Sequence, residues 1–235
     1  MPSDLCDVAH LGHAGLRLAL AGAGLCVDPP TPVVGPVLLT WSERERTDGA
    51  RTSTGPLAAS AGVLRWVGRD GVELRDTDGV DVAGFRVRAR PYRPIPYATP
   101  PEAVRKTLSA LRDPRLAIER LRHTLRRPPD LPLVLTVDRA GVRVVLLGQA
   151  LHRFVGPPEL AALVAWAGRA DLVVAGTDFE DEAATGRMIG AFPARRRVIA
   201  DLVGTIRRRL GLPVRPLSVA LDAAPVGTEG LQARG

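Results

Sequence analysis

Asparagine is absent from this chain and Lys106 is its only lysine, so all but one of its 32 basic residues are arginine. Such a skew reads as the codon bias of a GC-rich genome rather than as selection for phosphate contacts. The net charge of +7 and isoelectric point near 10.7 therefore argue only weakly for a nucleic-acid partner. Aromatic residues make up 4% of the chain, too few for the stacking platform of a single-strand binder. Cys6 and Cys26 are the only cysteines, which excludes a disulfide scaffold or a cysteine zinc site. They are expected to be buried free thiols of a cytoplasmic protein. No run of eighteen apolar residues exists, so no membrane-spanning helix is expected. Acidic Asp4 and Asp7, without a basic stretch, do not make a secretory signal.

What is present is a chain of 235 residues, 46% hydrophobic, enough to bury a large core. Residues 5–11 and 14–20 alternate around Gly12 and Gly15 and predict a hairpin. Leu25-Cys26-Val27 predicts a third strand, closed by Asp28-Pro29-Pro30, and Val37 to Thr40 a strand buried on both faces. Residues 42–56 read as a loop or a frayed short helix. Val63–Val67, Val72–Leu74 and Phe85–Ala89 read as strands of an antiparallel meander.

Five prolines within 91–101 exclude regular structure there. Thr99 and Glu102 then start a helix over 102–127, with a leucine stripe and an arginine face. In the second half, Leu133–Val137 and Val142–Leu147 predict a hairpin. Pro158–Ala167 and Ala183–Ala191 predict helices, and Asp171–Ala175 and Val198–Ala200 strands. An Arg-rich helix over 203–210 and a last strand near Val219 follow. One domain over 1–222 is expected, with a helical insertion about 100–128 and a disordered tail over 223–235. Two β-rich halves with helices outside make an α+β fold, a four-layer αβ/βα sandwich, the natural solution.

Landmarks in a fixed order give this arrangement a family resemblance. Leu11-Gly12-His13-Ala14-Gly15 comes first, then Asp28-Pro29, then the apolar strand Val37–Thr40. Val82-Ala83-Gly84-Phe85 with Ala89-Arg90-Pro91 follows, and Val144–Gly148 and Asp171–Val174 complete the series. In this order they resemble the metallo-β-lactamase-fold hydrolases, especially the ascorbate-6-phosphate-lactonase-like branch. The resemblance implies a cluster His-x-His-x-Asp-His after the third apolar strand, further ligands later in the chain, and zinc-dependent hydrolysis.

The residues at those places depart from the pattern systematically. Trp41, Glu43, Glu45 and Arg46 stand where the cluster would be. Arg93 falls near the next histidine, Gln149 replaces the bridging aspartate, and Asp201 or Leu202 takes the place of the last histidine. His13 keeps its identity, but in the family that residue flanks the metals. Arginine cannot be deprotonated in a protein and repels a divalent ion. The family's metal-activated water is therefore not expected, and no cofactor is.

Other constellations are weak. His10 and His13, three apart on a strand, point to opposite faces and make no ligand pair with Asp28 and Glu43. No Gly-x-Ser-x-Gly elbow exists, which leaves only a Ser42–His13 pair as a nucleophile and base. His152 follows the Gly148 strand and could line the pocket. Asp178 belongs to an acidic run, Thr177 to Glu182, able to balance Arg46 or Arg93. The candidate pocket is thus His13, Trp41, Glu43, Glu45, Arg46, Arg93, Gln149, His152, Asp178 and Asp201. The leading expectation is a metal-free pseudoenzyme that binds a partner protein or a small anionic metabolite. The alternative is a zinc-independent hydrolase or lyase using Glu43, Glu45 and His13, and weaker still is Arg-mediated nucleic-acid binding. Self-association through helix 102–127 is a further expectation.

Overall fold

A computed structural model describes residues 6–12, 15–40, 49–76, 78–92, 114, 133–149, 155–177, 182–201 and 221–223. The predicted helices 102–127 (Pro114 apart) and 203–210 and the tail beyond 223 lie outside the described residues.

The first sheet opens as the alternation predicts. Strand β1 (Cys6–Gly12) pairs antiparallel with β2 (Gly15–Leu20), and β2 with β3 (Ala23–Val27). Beyond β3 the direction changes. Strands β4 (Val37–Leu38), β5 (Leu57–Ala59) and β6 (Val72–Glu73) each pair parallel to the strand before. The expected antiparallel meander is therefore wrong for this stretch. Val63–Val67 is also not a strand: it belongs to helix α1 (Ala61–Val67). Parallel neighbours need a crossover, and α1 supplies it between β5 and β6. Val63 and Val67, four residues apart, bury one face against the sheet.

The second sheet runs β7 (Val80–Val82), β8 (Phe85–Pro91), β9 (Leu133–Arg139), β10 (Val142–Gln149), β11 (Ala170–Thr177), β12 (Ala194–Asp201) and β13 (Leu221–Ala223). Strands β10, β11 and β12 are parallel, and the flanking pairs are antiparallel. Helices α2 (Pro157–Ala167) and α3 (Glu182–Gly190) make the crossovers. The last strand lies two residues beyond the Val219 expected.

Three antiparallel hairpins turn on the same dipeptide. Ala21-Gly22, Ala83-Gly84 and Ala140-Gly141 have both residues at positive φ, with the alanines at 46°, 55° and 49°. This is the two-residue type I′ loop, whose first position Asn or Asp usually fills. In a chain without asparagine, alanine stands there instead.

Packing follows the alternation. Leu16, Leu18, Leu20, Leu25 and Leu38 of the first sheet meet Phe85, Val87, Leu135, Val144, Leu146, Leu172 and Val174 of the second in the central core. The other face of the second sheet packs Val145, Leu147, Val173 and Ala175 on Leu163 of α2, Met188 and Ile189 of α3, and Phe192 just beyond it. The other face of the first sheet packs Val37, Leu39, Leu57 and Ala59 on Val63 and Val67 of α1. Three apolar layers between four layers of structure make the expected sandwich.

Candidate functional site

The parallel registers bring the ends of the strands to one edge of each sheet. In the first sheet β1, β3 and β4 all run toward this edge, ending at Gly12, Val27 and Leu38, since Gly12 pairs with Gly15 and Val27 with both Leu16 and Leu38. In the second sheet β8 closes at Pro91 opposite Leu133, while Gln149 pairs with Gly176 and Thr177 with Asp201. The Leu133 N–H donates to the Thr40 carbonyl at 3.2 Å, so the two edges meet there. Ligands of α/β sheets collect beyond the carboxyl ends of parallel strands, and this shared edge is the candidate site.

Of the ten predicted pocket residues, the structure places two by backbone. Gln149 closes β10 and Asp201 closes β12, both at this edge. His13, Trp41, Glu43, Glu45, Arg46, Arg93, His152 and Asp178 lie outside the described residues. Four of them come directly after described residues in the sequence. His13 follows Gly12 directly, Trp41 follows Thr40, Arg93 follows Tyr92, and Asp178 follows Thr177.

The floor of this edge is built from residues that the sequence reading did not single out as functional. Asp28 is 3% exposed and holds φ at +45°, directly after β3. Its Oδ1 accepts the Thr40 N–H at 2.9 Å and its Oδ2 the Thr40 hydroxyl at 2.5 Å. Its own N–H donates to the Leu38 carbonyl at 2.9 Å. Gly49 packs on the next residue: a Cβ there would lie 2.0 Å from the Pro29 carbonyl oxygen. The Ser53 hydroxyl donates to the Gly49 carbonyl at 2.7 Å and accepts the Val33 N–H at 3.0 Å. Arg69 donates to the carbonyls of Ala50 and Gly55. Tyr92, fully buried, sets its ring at the end of β8, with its hydroxyl 3.8 Å from where a Cβ on Gly148 would stand. Gly148 has φ +69°, and the β10–β11 register slips between Leu146 and Gln149. That bulge re-aims the end of the strand at Gln149. The Asp-Pro dipeptide at a strand end was the one sequence signal pointing to this floor.

The electrostatics bear on the charge reading. Eight described arginines, at 51, 69, 86, 88, 139, 143, 196 and 197, donate to backbone carbonyls at turns, strand ends and helix ends. Arg197 is 6% exposed and binds the Ile189 and Phe192 carbonyls at the end of α3, and burial lowers its pKa. Arg143 meets Asp138 at 2.6 Å, and its N–H donates to Asp171, which also faces Arg195 at 3.4 Å. These eight arginines thus serve acceptors of the fold itself. Cys6 is half-buried, and burial pushes its thiol up to about 11, despite the opposing pull of Arg196. Burial also raises Cys26.

An indole offers a donor only, and a guanidinium stays protonated, so Trp41 and Arg46 supply no lone pair. A binuclear zinc site needs imidazoles and carboxylates at about 2.0–2.2 Å. Among the described residues no three His, Cys, Asp or Glu side chains are grouped to hold an ion. No helix of the described residues is long and apolar enough to cross a membrane.

No family model matches the chain, and no curated protein matches it. Among solved structures it resembles a protein assigned as a metal-dependent hydrolase from Parabacteroides distasonis, with a TM-score of 0.53 and 14% identity over 91% of this chain and 93% of that one. A variant of the β-hydroxylase CmlA, of Streptomyces venezuelae, gives 0.51 and 11% identity over 85% of this chain, which spans only 46% of CmlA. The metallo-β-lactamase fold protein YhfI from Bacillus subtilis gives 0.49 and 9% identity, with 84% of each chain covered. Identities this low speak to architecture alone. The chain has an α+β four-layer αβ/βα sandwich, an architecture similar to that of the first two of these structures.

Proposed function

We propose that this chain is a metal-free pseudoenzyme on a hydrolase fold, which acts by binding a small anionic metabolite at the shared sheet edge. One observation carries the reading. Thr40 and Gly49, both packed on Asp28-Pro29 at that edge, bracket the segment that holds Trp41, Glu43, Glu45 and Arg46 in place of a metal-ligand cluster. Guanidinium groups at 46 and 93 substitute fixed cations for metal cations, and Glu43, Glu45 and Asp201 compensate them. These carboxylates outnumber the two guanidiniums, so anion binding requires that Arg46 or Arg93 be left unpaired by them; a phosphate or carboxylate ligand then takes its charge-assisted hydrogen bonds. A partner protein that inserts an acidic side chain would use the same chemistry.

The domain is taken as 1–222, and the cytoplasm as its compartment. Direct nucleic-acid binding is the weaker reading, in keeping with the structural employment of so many arginines.

The test is calorimetric titration of the dialysed chain with inorganic phosphate and a phosphorylated sugar, beside Arg46→Ala and Arg93→Ala. Saturable binding that both variants weaken about tenfold, the worth of one charge-assisted contact, supports the reading. Turnover of a lactone or phosphoester that is abolished by Glu43→Gln or Glu45→Gln overturns it in favour of a zinc-independent hydrolase.

A further inference from the structure

Helix α1 covers only part of the outer face of the first sheet. It packs on Val37, Leu39, Leu57 and Ala59. The outward positions Asp7, Ala9, Arg17, Ala19 and Gly24 of β1, β2 and β3 are all exposed. A solvated antiparallel face is ordinarily polar at its outward positions. Here Ala9, Ala19 and Gly24 carry a methyl group or less, and Asp7 and Arg17 carry opposite charges.

The register holds those charges apart. Asp7 pairs with Ala19 and Ala19 with Gly24, so the three form one row across the strands. Arg17 lays its guanidinium into the same row, with Nε and Nη2 each 3.8 Å from where a Cβ on Gly24 would stand. Two strand spacings, about 9–10 Å, separate the β1 and β3 ends of that row. Among the described residues Arg17 has no hydrogen bond or ion pair, and the Asp7 carboxylate accepts only the Val8 N–H, at 2.8 Å.

We propose that this face is a docking surface for a second copy of the chain, on a two-fold axis that runs along β2 over Ala19. Half a turn about that axis lays the two sheets face to face and exchanges the β1 and β3 sides. Asp7 then stands over the partner's Gly24, where the partner's Arg17 lies, and the reciprocal pair forms on the other side. Ala19 meets the partner's Ala19 on the axis, and the small side chains let the sheets approach. Because β1 is the edge strand, the partner's sheet ends before it reaches α1. The patch spans three short strands, so the dimer belongs to the weak, concentration-dependent class. It uses none of the residues at the shared sheet edge and is independent of the anion reading.

Sedimentation velocity of the full chain tests it, from about 1 µM to about 1 mM, the Kd range of weak interfaces. The unaltered chain should pass from monomer to dimer. Asp7→Arg and Arg17→Asp each set like charges against one another in both pairs and should weaken the dimer about tenfold or more. Ala19→Arg, which meets its own copy on the axis, should do the same. Mixed in equal amounts, Asp7→Arg and Arg17→Asp should associate as well as the unaltered chain, because each pair again joins arginine to aspartate. That recovery also shows that both variants fold. A chain that stays monomeric throughout, leaving the face to some other partner, would overturn the proposal. So would a dimer that none of the three substitutions weakens, or a mixture that associates no better than the single variants.

Discussion

Thr40 gives both its backbone N–H and its hydroxyl to the two oxygens of the Asp28 carboxylate, across twelve residues of chain and out of contact with solvent. The pair fixes Thr40 at the carboxyl edge of the first sheet. Asp28→Ala strands a buried N–H and a buried hydroxyl, at about 1–3 kcal/mol for each such group. Urea denaturation of Asp28→Ala should show a loss of about 2–4 kcal/mol on that basis. Asp28→Asn, which tolerates the positive φ and keeps an acceptor, should lose less. Equal losses for the two would mean that the carboxylate is not what Thr40 needs.

Gly49 and Gly190 make a matched pair. A Cβ at Gly49 meets the Pro29 carbonyl oxygen at 2.0 Å and the Thr31 nitrogen at 2.8 Å, whereas one at Gly190 meets nothing within 4 Å. Backbone on both sides leaves Gly49→Ala no flexible neighbour to displace. It should lower the thermal midpoint by several degrees or prevent folding, as overpacking of a tight site does. Gly190→Ala, at the end of α3, should leave the midpoint unchanged or raise it slightly. The reverse order would refute the close approach.

Alanine at the first position of three type I′ turns is a strain the chain carries throughout. Ala83 and Ala140 are exposed, so a larger side chain there meets solvent. Left-handed backbone costs an alanine about 1 kcal/mol, and asparagine adopts it far more readily. Ala83→Asn and Ala140→Asn should each raise stability by about 0.5–1 kcal/mol, and together about twice that. A thermal melt showing no gain for the double variant would contradict the turn assignment.

The Cys6 thiol gives the fold a dependence on alkaline pH. Its pKa in the folded chain, about 11, lies above the ordinary value of 9.0 because burial disfavours the thiolate. The unfolded chain therefore loses its proton first, and stability falls as pH rises from about 9 toward 11. The thiol's partial exposure keeps the effect small. Below pH 9 both states hold the proton and the contribution does not vary. Cys6→Ser should flatten this part of the stability curve. Labelling by a thiol reagent at pH 8 should also be much slower at Cys6 than at a free thiol, and rapid labelling in the folded chain would contradict the shift.

How much of this was written legibly in the sequence depended on the kind of signal. Period-2 alternation placed β1, β2 and β8, and unbroken apolar runs placed β10 and β11, to within a residue or two at most ends. Val63–Val67 was misread because a short apolar, β-branched run looks alike in a strand and in a buried helix. Only the parallel neighbours β5 and β6, which require a crossover, decide the matter. Strand β5 itself, Leu57-Ala58-Ala59 behind Pro56, is too short and too alanine-rich to announce itself. At the site, residue chemistry showed that Trp41 and Arg46 cannot bind a metal. It could not show that Asp28 holds Thr40 or that Gly49 sits on Pro29, because those contacts depend on how β3, β4 and the following turn come together.

The central claim is that guanidinium and indole groups have taken over positions where imidazoles would grip zinc. Elemental analysis of the chain purified without chelators and dialysed against zinc-free buffer tests it most directly. The account predicts zinc well below one equivalent, and no change in thermal midpoint when zinc is added back. One or two tightly held zinc ions per chain, with a midpoint that falls on chelation, would contradict it.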